Sequence, residues 1–483
     1  MEEKKSRKSV SRRSFLRDSS IAAAGFYIVP RHVLGRGFIA PSDQLTIASV
    51  GAGGKGGDDI RHFTQSGKGN VAFLCDVDDR QAVSSRKLLP NAKYYKDWRE
   101  MFDKESKNFD AVSVSIPDHN HAIVAFNAMS LGKHVYVQKP LTHDIYEART
   151  LTQAAERFKV VTQMGDQGAS GDGVRQLMEW YNAGVIGDVH TVNCYTNRPV
   201  WPQGVLWPSA PDPIPAELNF DLWLGTAQQH DYFTKLLPFN WRGWWDFGTG
   251  ALGDMGCHII GPVFKVLGLG YPTEVTCSCS TLYDGVFEES YRPDSGPVST
   301  SVHFKYKDKN GNDVKLNWMD GGIQPERPVE LGPNEIMGGP SDVGNGVVFE
   351  GTKGKMMCST YGMDPSLLPT SRTAQVHVPQ TIPRIPMGAE GHYVQWIEAA
   401  MAGYENGKTD SPFVGYAGPL TECILMGNLA LRSFNYRDPK TKDFPGRGIT
   451  LQWDGPNMKV TNFDLANQYV KRIYRDGWNA ISI

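Results

Sequence analysis

The seven cysteines stand scattered at 75, 194, 257, 277, 279, 358 and 423, and none forms a CxxC pair. That spacing offers neither a zinc site nor a disulfide framework. Cys277 and Cys279, two apart on an expected strand, share one face and read as small packing residues. No run of 18 apolar residues occurs, so no integral membrane segment is expected. Past the first residues there is no basic run, and Lys+Arg 50 almost balance Asp+Glu 52, so nucleic acid is not an expected partner. Internal repeats and low-complexity segments are also missing. His119 and His121 have a ligand-like spacing, but no third or fourth ligand accompanies them, so no metal is expected. What remains is a 483-residue chain, long enough for two or more domains. Many of its 12 tryptophans crowd between 180 and 250, which points to an aromatic-walled cleft.

The most informative stretch is Leu45 to Gly57, LTIASVGAGGKGG. A short apolar run reads as a buried strand. Gly51, Gly53, Gly54 and Gly56 then form G-x-G-x-x-G, and a helix pattern with Ile60 and Phe63 on one face follows. In this setting the first glycine makes the tight turn, the second lets backbone approach a pyrophosphate, and the last lets helix pack on strand. The helix start offers free N–H groups to phosphate. A second apolar strand ends at Asp76, where an acid binds the ribose hydroxyls of NAD. Arg80 nearby leaves NADP open.

Ahead of this lies Ser11-Arg12-Arg13-Ser14-Phe15-Leu16-Arg17, which matches the twin-arginine export pattern. The apolar segment Ile21 to Val29 suits a signal core and is too short to span a membrane. Residues 1–40 are therefore expected to be a leader, and the protein periplasmic, or cytoplasmic if the leader is not functional. That route carries folded proteins, which suits one that loads a nucleotide before export.

Strands ending at Ile116-Pro117 and at Gln138-Lys139-Pro140 alternate with helices, so residues 43–163 are expected to form a doubly wound parallel α/β sheet. Its informative turns, 51–56, 76, 116–121 and 138–140, converge on one edge, where ligands bind. His121 is expected to pack or to contact the nucleotide. Residues 164–483 are expected to form a second domain, with strands at 274–281, 297–307, 313–319, 346–351 and 355–359. A surface loop is expected at 361–390, helices at 391–403 and 413–433, and a short amphipathic helix from Tyr469 to Trp478. A glycine-rich approach leads into a helix from about Asp254 to Leu267. Asp254 and His258 are four apart and share a face. His258 can take a hydroxyl proton, and Asp254 can orient the substrate hydroxyl or the imidazole. Trp241, Arg242, Trp245 and Asp246 stand just before this helix, and Gln167 ends the last strand of the first domain. They are candidate sugar contacts, with a tryptophan-rich core as the alternative.

Ile-Pro-Asp-x-x-His, Gly-Lys-His-Val and Lys-Pro together resemble the glucose–fructose oxidoreductase, inositol dehydrogenase and rhizopine-catabolism (Gfo/Idh/MocA) family. The resemblance implies a Rossmann domain and an α+β domain with a large, mainly antiparallel open sheet, often an oligomer face. It also implies a nicotinamide cofactor contacted by Gly51, Gly53, Gly54, Gly56, Asp76, Ile116, Pro117, His121, Gln138 and Lys139. Catalytic roles fall on Lys139, Asp254 and His258, with Lys139 stabilising alkoxide charge. The family's usual Glu-Lys-Pro is Gln138-Lys139-Pro140 in this chain. The expected activity is NAD(P)-dependent hydride transfer at a hydroxyl-bearing carbon of a sugar, glycoside or polyol, with a tightly held cofactor. An NAD-dependent glycosidase cycle of oxidation, elimination, hydration and reduction is the second reading. A non-catalytic sugar-binding protein is the third.

Overall fold

A computed structural model describes residues 43–483. The twin-arginine pattern and the 1–40 leader lie outside the described residues. Strands and helices alternate as β1 (Leu45–Val50), α1 (Gly54–Gln65), β2 (Gly69–Cys75), α2 (Asp79–Leu88), β3 (Lys93–Tyr95) and α3 (Trp98–Glu105). They continue as β4 (Ala111–Val114), α4 (His121–Ser130), β5 (His134–Gln138), α5 (Ile145–Phe158) and β6 (Thr162–Gly165). The six strands are parallel, in the order β3-β2-β1-β4-β5-β6. That is the doubly wound Rossmann order. The strands are apolar because helices cover both faces. The switch between β1 and β4 opens the crevice at their carboxyl ends.

The chain continues through α6 (Asp172–Asn182), β7 (Val189–Tyr195), α7 (Phe220–Leu224), α8 (Gly250–Leu267) and β8 (Glu274–Cys279). A small hairpin of β9 (Tyr283–Gly285) and β10 (Glu288–Glu289) precedes β11 (Thr300–Lys307), β12 (Asp313–Met319), β13 (Gly346–Gly351), β14 (Gly354–Cys358) and β15 (Ser366–Leu368). Then come α9 (His392–Ala402), α10 (Gly418–Asn435), β16 (Leu451–Asp454) and β17 (Lys459–Val460). Nine strands form one sheet, β15-β14-β13-β7-β12-β11-β8-β16-β17, antiparallel except for the β7–β12 pair. Residues alternate in and out along β11 and β12. Val302, Phe304, Leu316 and Trp318 face the core. The other face carries a polar ladder in which His303 meets Asn317, Asn317 donates to Asn193, and Asn193 donates to Glu350.

Two expectations are corrected. The loop from 361 is not wholly at the surface, since its start carries β15 and buries Leu367 and Leu368. That strand is too short to reveal a period. The segment from Tyr469 to Trp478 is not a helix. Its backbone groups bond elsewhere: Tyr146 N–H donates to the Val470 carbonyl, and Arg475 N–H donates to that of Thr226. Among the described residues no helix is long and apolar enough to cross a membrane, and no His/Cys/Asp/Glu group has metal-ligand geometry.

Candidate active site

The glycine loop is shaped by contacts that exclude a side chain. Gly51 sits at φ +93, and a Cβ there would lie 2.1 Å from the Ser115 carbonyl oxygen. At Gly53 it would meet Gln81 of α2 at 2.6 Å, so this glycine serves the packing of α2 against the loop. Gly54, the first residue of α1, opens onto free space at φ +50. Asp76, at the end of β2, accepts from the Ala52 N–H at 2.9 Å, tying its carboxylate to the loop. Burial pushes its pKa up to about 6. One cleft runs from this loop and Asp76, past Ile116 and Pro117, to Lys139, Trp241 and Arg242. A bare glycine turn, a helix start and a strand-end acid in one crevice fit a dinucleotide. Arg80 is clamped by Asp78, with contacts of 2.8 and 2.6 Å, and so is already engaged.

At the other end of the cleft, β5 delivers Lys139. Its ammonium donates to Asp254 Oδ1 and to the Asp254 carbonyl, both at 2.8 Å. Arg242 Nε donates to the same Oδ1 at 3.1 Å. Burial raises the Asp254 pKa, but Lys139 and Arg242 outweigh it and hold the carboxyl well below the usual range. Asp118 behaves oppositely. It is buried, its Oδ2 accepts from the Thr249 hydroxyl at 2.7 Å, and burial pushes it up to about 7.

His258 lies on α8, which starts at Gly250, four residues earlier than the sequence suggests. Its orienting partner is not Asp254. Nδ1 meets Asp166 Oδ1, just past β6, at 3.0 Å. The other Asp166 oxygen accepts from the Tyr416 hydroxyl at 2.8 Å. Burial lowers the His258 pKa against the opposing pull of Asp166, which favours the neutral ring. With Nδ1–H donating to Asp166, Nε2 is left as the basic nitrogen, and no bond to it occurs among the described residues. The Tyr361 ring packs on the imidazole at 4.5 Å. Tyr361 is non-glycine at φ 63, a strained conformation of the kind that clusters at functional sites. Asp166, Tyr361, Tyr416 and Asp118 carry no spacing signal toward His258 or Asp254, because each arrives from a different part of the chain.

Several predicted residues are engaged by partners within the protein. His121 is fully buried and bonds the Pro140 and Ile116 carbonyls, so it braces the two turns. Gln138 lines the cleft, but its amide donates to both oxygens of Asp59, at 3.0 and 2.8 Å. Gln167 donates to the Tyr136 and Tyr393 hydroxyls. Asp246 pairs with His230 at 2.6 Å. Trp245 is buried with Arg432 over its ring. Because the chain turns sharply through 240–243, only Trp241 and Arg242 face the cleft.

This crevice between a Rossmann sheet and a second α/β domain defines a two-domain, dinucleotide-binding class of protein. The chain belongs to the Gfo/Idh/MocA oxidoreductase family. Residues 45–166 match its NAD-binding Rossmann fold and 187–308 its C-terminal alpha/beta domain, together about half of the chain. A "Glycosyl hydrolase family 109 protein" of Shewanella pealeana is 24% identical over 217 residues, 40% of this chain and 47% of that one. "Rhizopine catabolism protein MocA" of Rhizobium meliloti is 29% identical over 153 residues, 32% of this chain and 47% of that one. The chain thus spans about half the length of the curated relatives it matches. Among solved structures, the WlbA dehydrogenase from Bordetella pertussis, in complex with NADH and UDP-GlcNAcA, shares the fold at 14% identity and TM-score 0.52. That match covers 80% of this chain and 95% of the other. Levoglucosan dehydrogenase, in complex with NADH and L-sorbose, shares it at 15% identity and TM-score 0.52, covering 80% and 98%.

Proposed function

We propose that this chain is an NAD-dependent oxidoreductase acting on a CH–OH carbon of a sugar, glycoside or polyol, with residues 164–483 forming most of the substrate side. The observation that carries the reading is the shared cleft, with a glycine cradle and Asp76 at one end and Lys139 paired to Asp254 at the other. A nicotinamide bound there supplies the hydride acceptor or donor. Lys139 holds positive charge at the substrate oxygen. His258 Nε2 receives the hydroxyl proton, and Asp166 fixes the tautomer that leaves this nitrogen free. Arg242 keeps Asp254 ionised beside the lysine, and Trp241 offers an aromatic face to a sugar ring.

Asp118 favours a second reading, the glycosidase cycle. Elimination and hydration need a proton-transfer group beyond the one that serves oxidation, and Asp118 is a carboxyl of raised pKa in the lining of the cleft. An exported location and self-association through the open sheet complete the proposal. An exported enzyme away from a free dinucleotide pool must retain its cofactor.

The test joins cofactor and turnover. Protein purified without added nucleotide is denatured and the released nucleotide identified by mass spectrometry. Turnover is then measured on sugars, polyols and nitrophenyl glycosides for wild type, Lys139→Ala and His258→Ala. Losses of about 100-fold or more in folded variants support the assignment. Hydrolysis with no net change in dinucleotide redox state selects the glycosidase cycle. Wild-type rates in both variants overturn the catalytic roles of Lys139 and His258.

A further inference from the structure

We infer that Trp478, delivered by the segment 470–478, is a nucleotide-binding residue that closes the adenosine end of the cleft. The inference rests on the dinucleotide reading of the proposed function. Polarity along the cleft follows from the fold. The acid ending the second strand marks the ribose diol next to adenine, and that acid is Asp76. The adjoining strand, β3, pairs with β2, and the Asp76 N–H donates to the Tyr95 carbonyl at 3.1 Å. Three residues beyond Tyr95 comes Trp98. Its ring lies 6.4 Å from that of Trp478 at a tilt of 43°. Both indoles line the cleft, and Trp98 follows directly on the strand that pairs beside Asp76.

The segment is held too firmly to be a loose end. The Arg472 guanidinium donates to Glu147 at 2.8 and 3.0 Å and to the Thr226 hydroxyl at 2.8 Å. Its N–H donates to Asp144 at 3.0 Å. Asp144 and Glu147 form the capping box of α5, both are buried, and Arg472 supplies their counter-charge. The Tyr474 hydroxyl adds a 2.7 Å bond to Glu147. Arg475 grips Asp221 at 2.6 Å and the Gly225 carbonyl at 3.1 Å, and its own carbonyl accepts from Trp478 N–H. A chain so anchored on α5 and on residues 221–226 presents Trp478 in a fixed place. Flat aromatic faces stack on bases whatever their identity, and a preset face binds without an ordering cost. The Arg99 guanidinium lies over the Trp478 ring at 4.5 Å, and packing of Trp478 on Trp98 and Arg99 alone would need no nucleotide, so the test separates the two roles.

Full-length protein stripped of nucleotide is titrated by calorimetry with ADP-ribose and with NADH, for wild type, Trp478→Ala, Trp478→Leu and Trp478→Phe. Thermal unfolding is recorded for each. The expected result is a rise of about tenfold or more in the dissociation constant of both ligands for the Ala and Leu variants, as loss of a base–aromatic stack produces. Trp478→Phe restores most of the affinity. Wild-type affinity for ADP-ribose in a folded Ala or Leu variant overturns the role of Trp478 and leaves the dinucleotide site standing. Failure of the wild type to bind either ligand overturns both.

Discussion

Asp118 and Asp254 both feel the charges of Lys139 and Arg242, yet their surroundings drive them apart. Asp254 contacts both cations directly and stays ionised. Asp118 lies deeper, with a single hydroxyl donor, and burial carries it to about 7. Opposed carboxyls are the usual mark of acid and base assignments. Thr249 stabilises the charged form of Asp118, so removing its hydroxyl raises the Asp118 pKa further. A pH profile of kcat/KM is therefore expected to carry an inflection near 7, and Thr249→Val is expected to shift it upward. An inflection unmoved by that change would assign it to another group. His258 shows how position can be legible while partnership is not. Its spacing from Asp254 puts both on one helix face, but spacing says nothing about β6, which brings Asp166 to the imidazole. Side-chain partners were hidden wherever they came from another element.

At the scale of elements, the Rossmann half was legible because two signals coincide, the apolar strand period and glycines at fixed offsets. The turn at Gly51 has no tolerance. Gly51→Ala would combine a positive φ with a 2.1 Å clash against the Ser115 carbonyl. We expect it to lose dinucleotide binding in calorimetry and to cost about 1–3 kcal/mol or more in urea unfolding. Unaltered binding would show that the loop can move aside. The tryptophan-rich stretch was only partly legible. Trp241, Trp223, Trp244 and Phe247 belong to one aromatic core, and of these Trp241 and Trp223 reach the cleft while Trp244 does not. A turn, rather than a period, decides which residue faces where, and turns of this irregular kind leave no repeat to count. Similarly, residues 470–478 have apolar spacing suited to a helix, yet their backbone bonds are taken by α5 and by Thr226.

For the whole molecule, α9 joins the two halves. Tyr393 and Trp396 pack on Phe63 of α1, and the fully buried His392 bonds Ser170 at 2.7 Å and the Met164 carbonyl at 3.0 Å. Burial pushes His392 down to about 4. Its folded pKa lies below the unfolded value near 6.5, so its contribution to stability is present above that value. The contribution is lost as pH falls through about 4, because the unfolded ring takes a proton that the folded ring refuses. Buried carboxyls with raised pKa values, such as Asp118 and Asp320, act in the opposite sense, so total stability masks the term. The difference between wild type and His392→Gln isolates it. In urea unfolding, wild type is expected to lose about 3 kcal/mol relative to the variant between pH 7 and pH 4. A constant difference would mean that the ring takes up its proton at the same pH in the fold as in the unfolded chain. The polar ladder on the outer sheet face also bears on assembly, since any self-association there relies on hydrogen bonds more than on apolar burial.

The Gln138–Asp59 pair constrains which side chains this turn can carry. Asp59 is wholly buried, receives the Gln138 amide and the Ser115 hydroxyl, and lies 3.0 Å from Lys55. A glutamate at 138 would press a second carboxylate against it where water cannot screen the repulsion. Neither position is therefore free to drift alone. Gln138→Glu alone is therefore expected to be more destabilising than the same change combined with Asp59→Asn. The amide beside Lys139 and the acid at 59 thus form one unit in this chain, each limiting what the other can be.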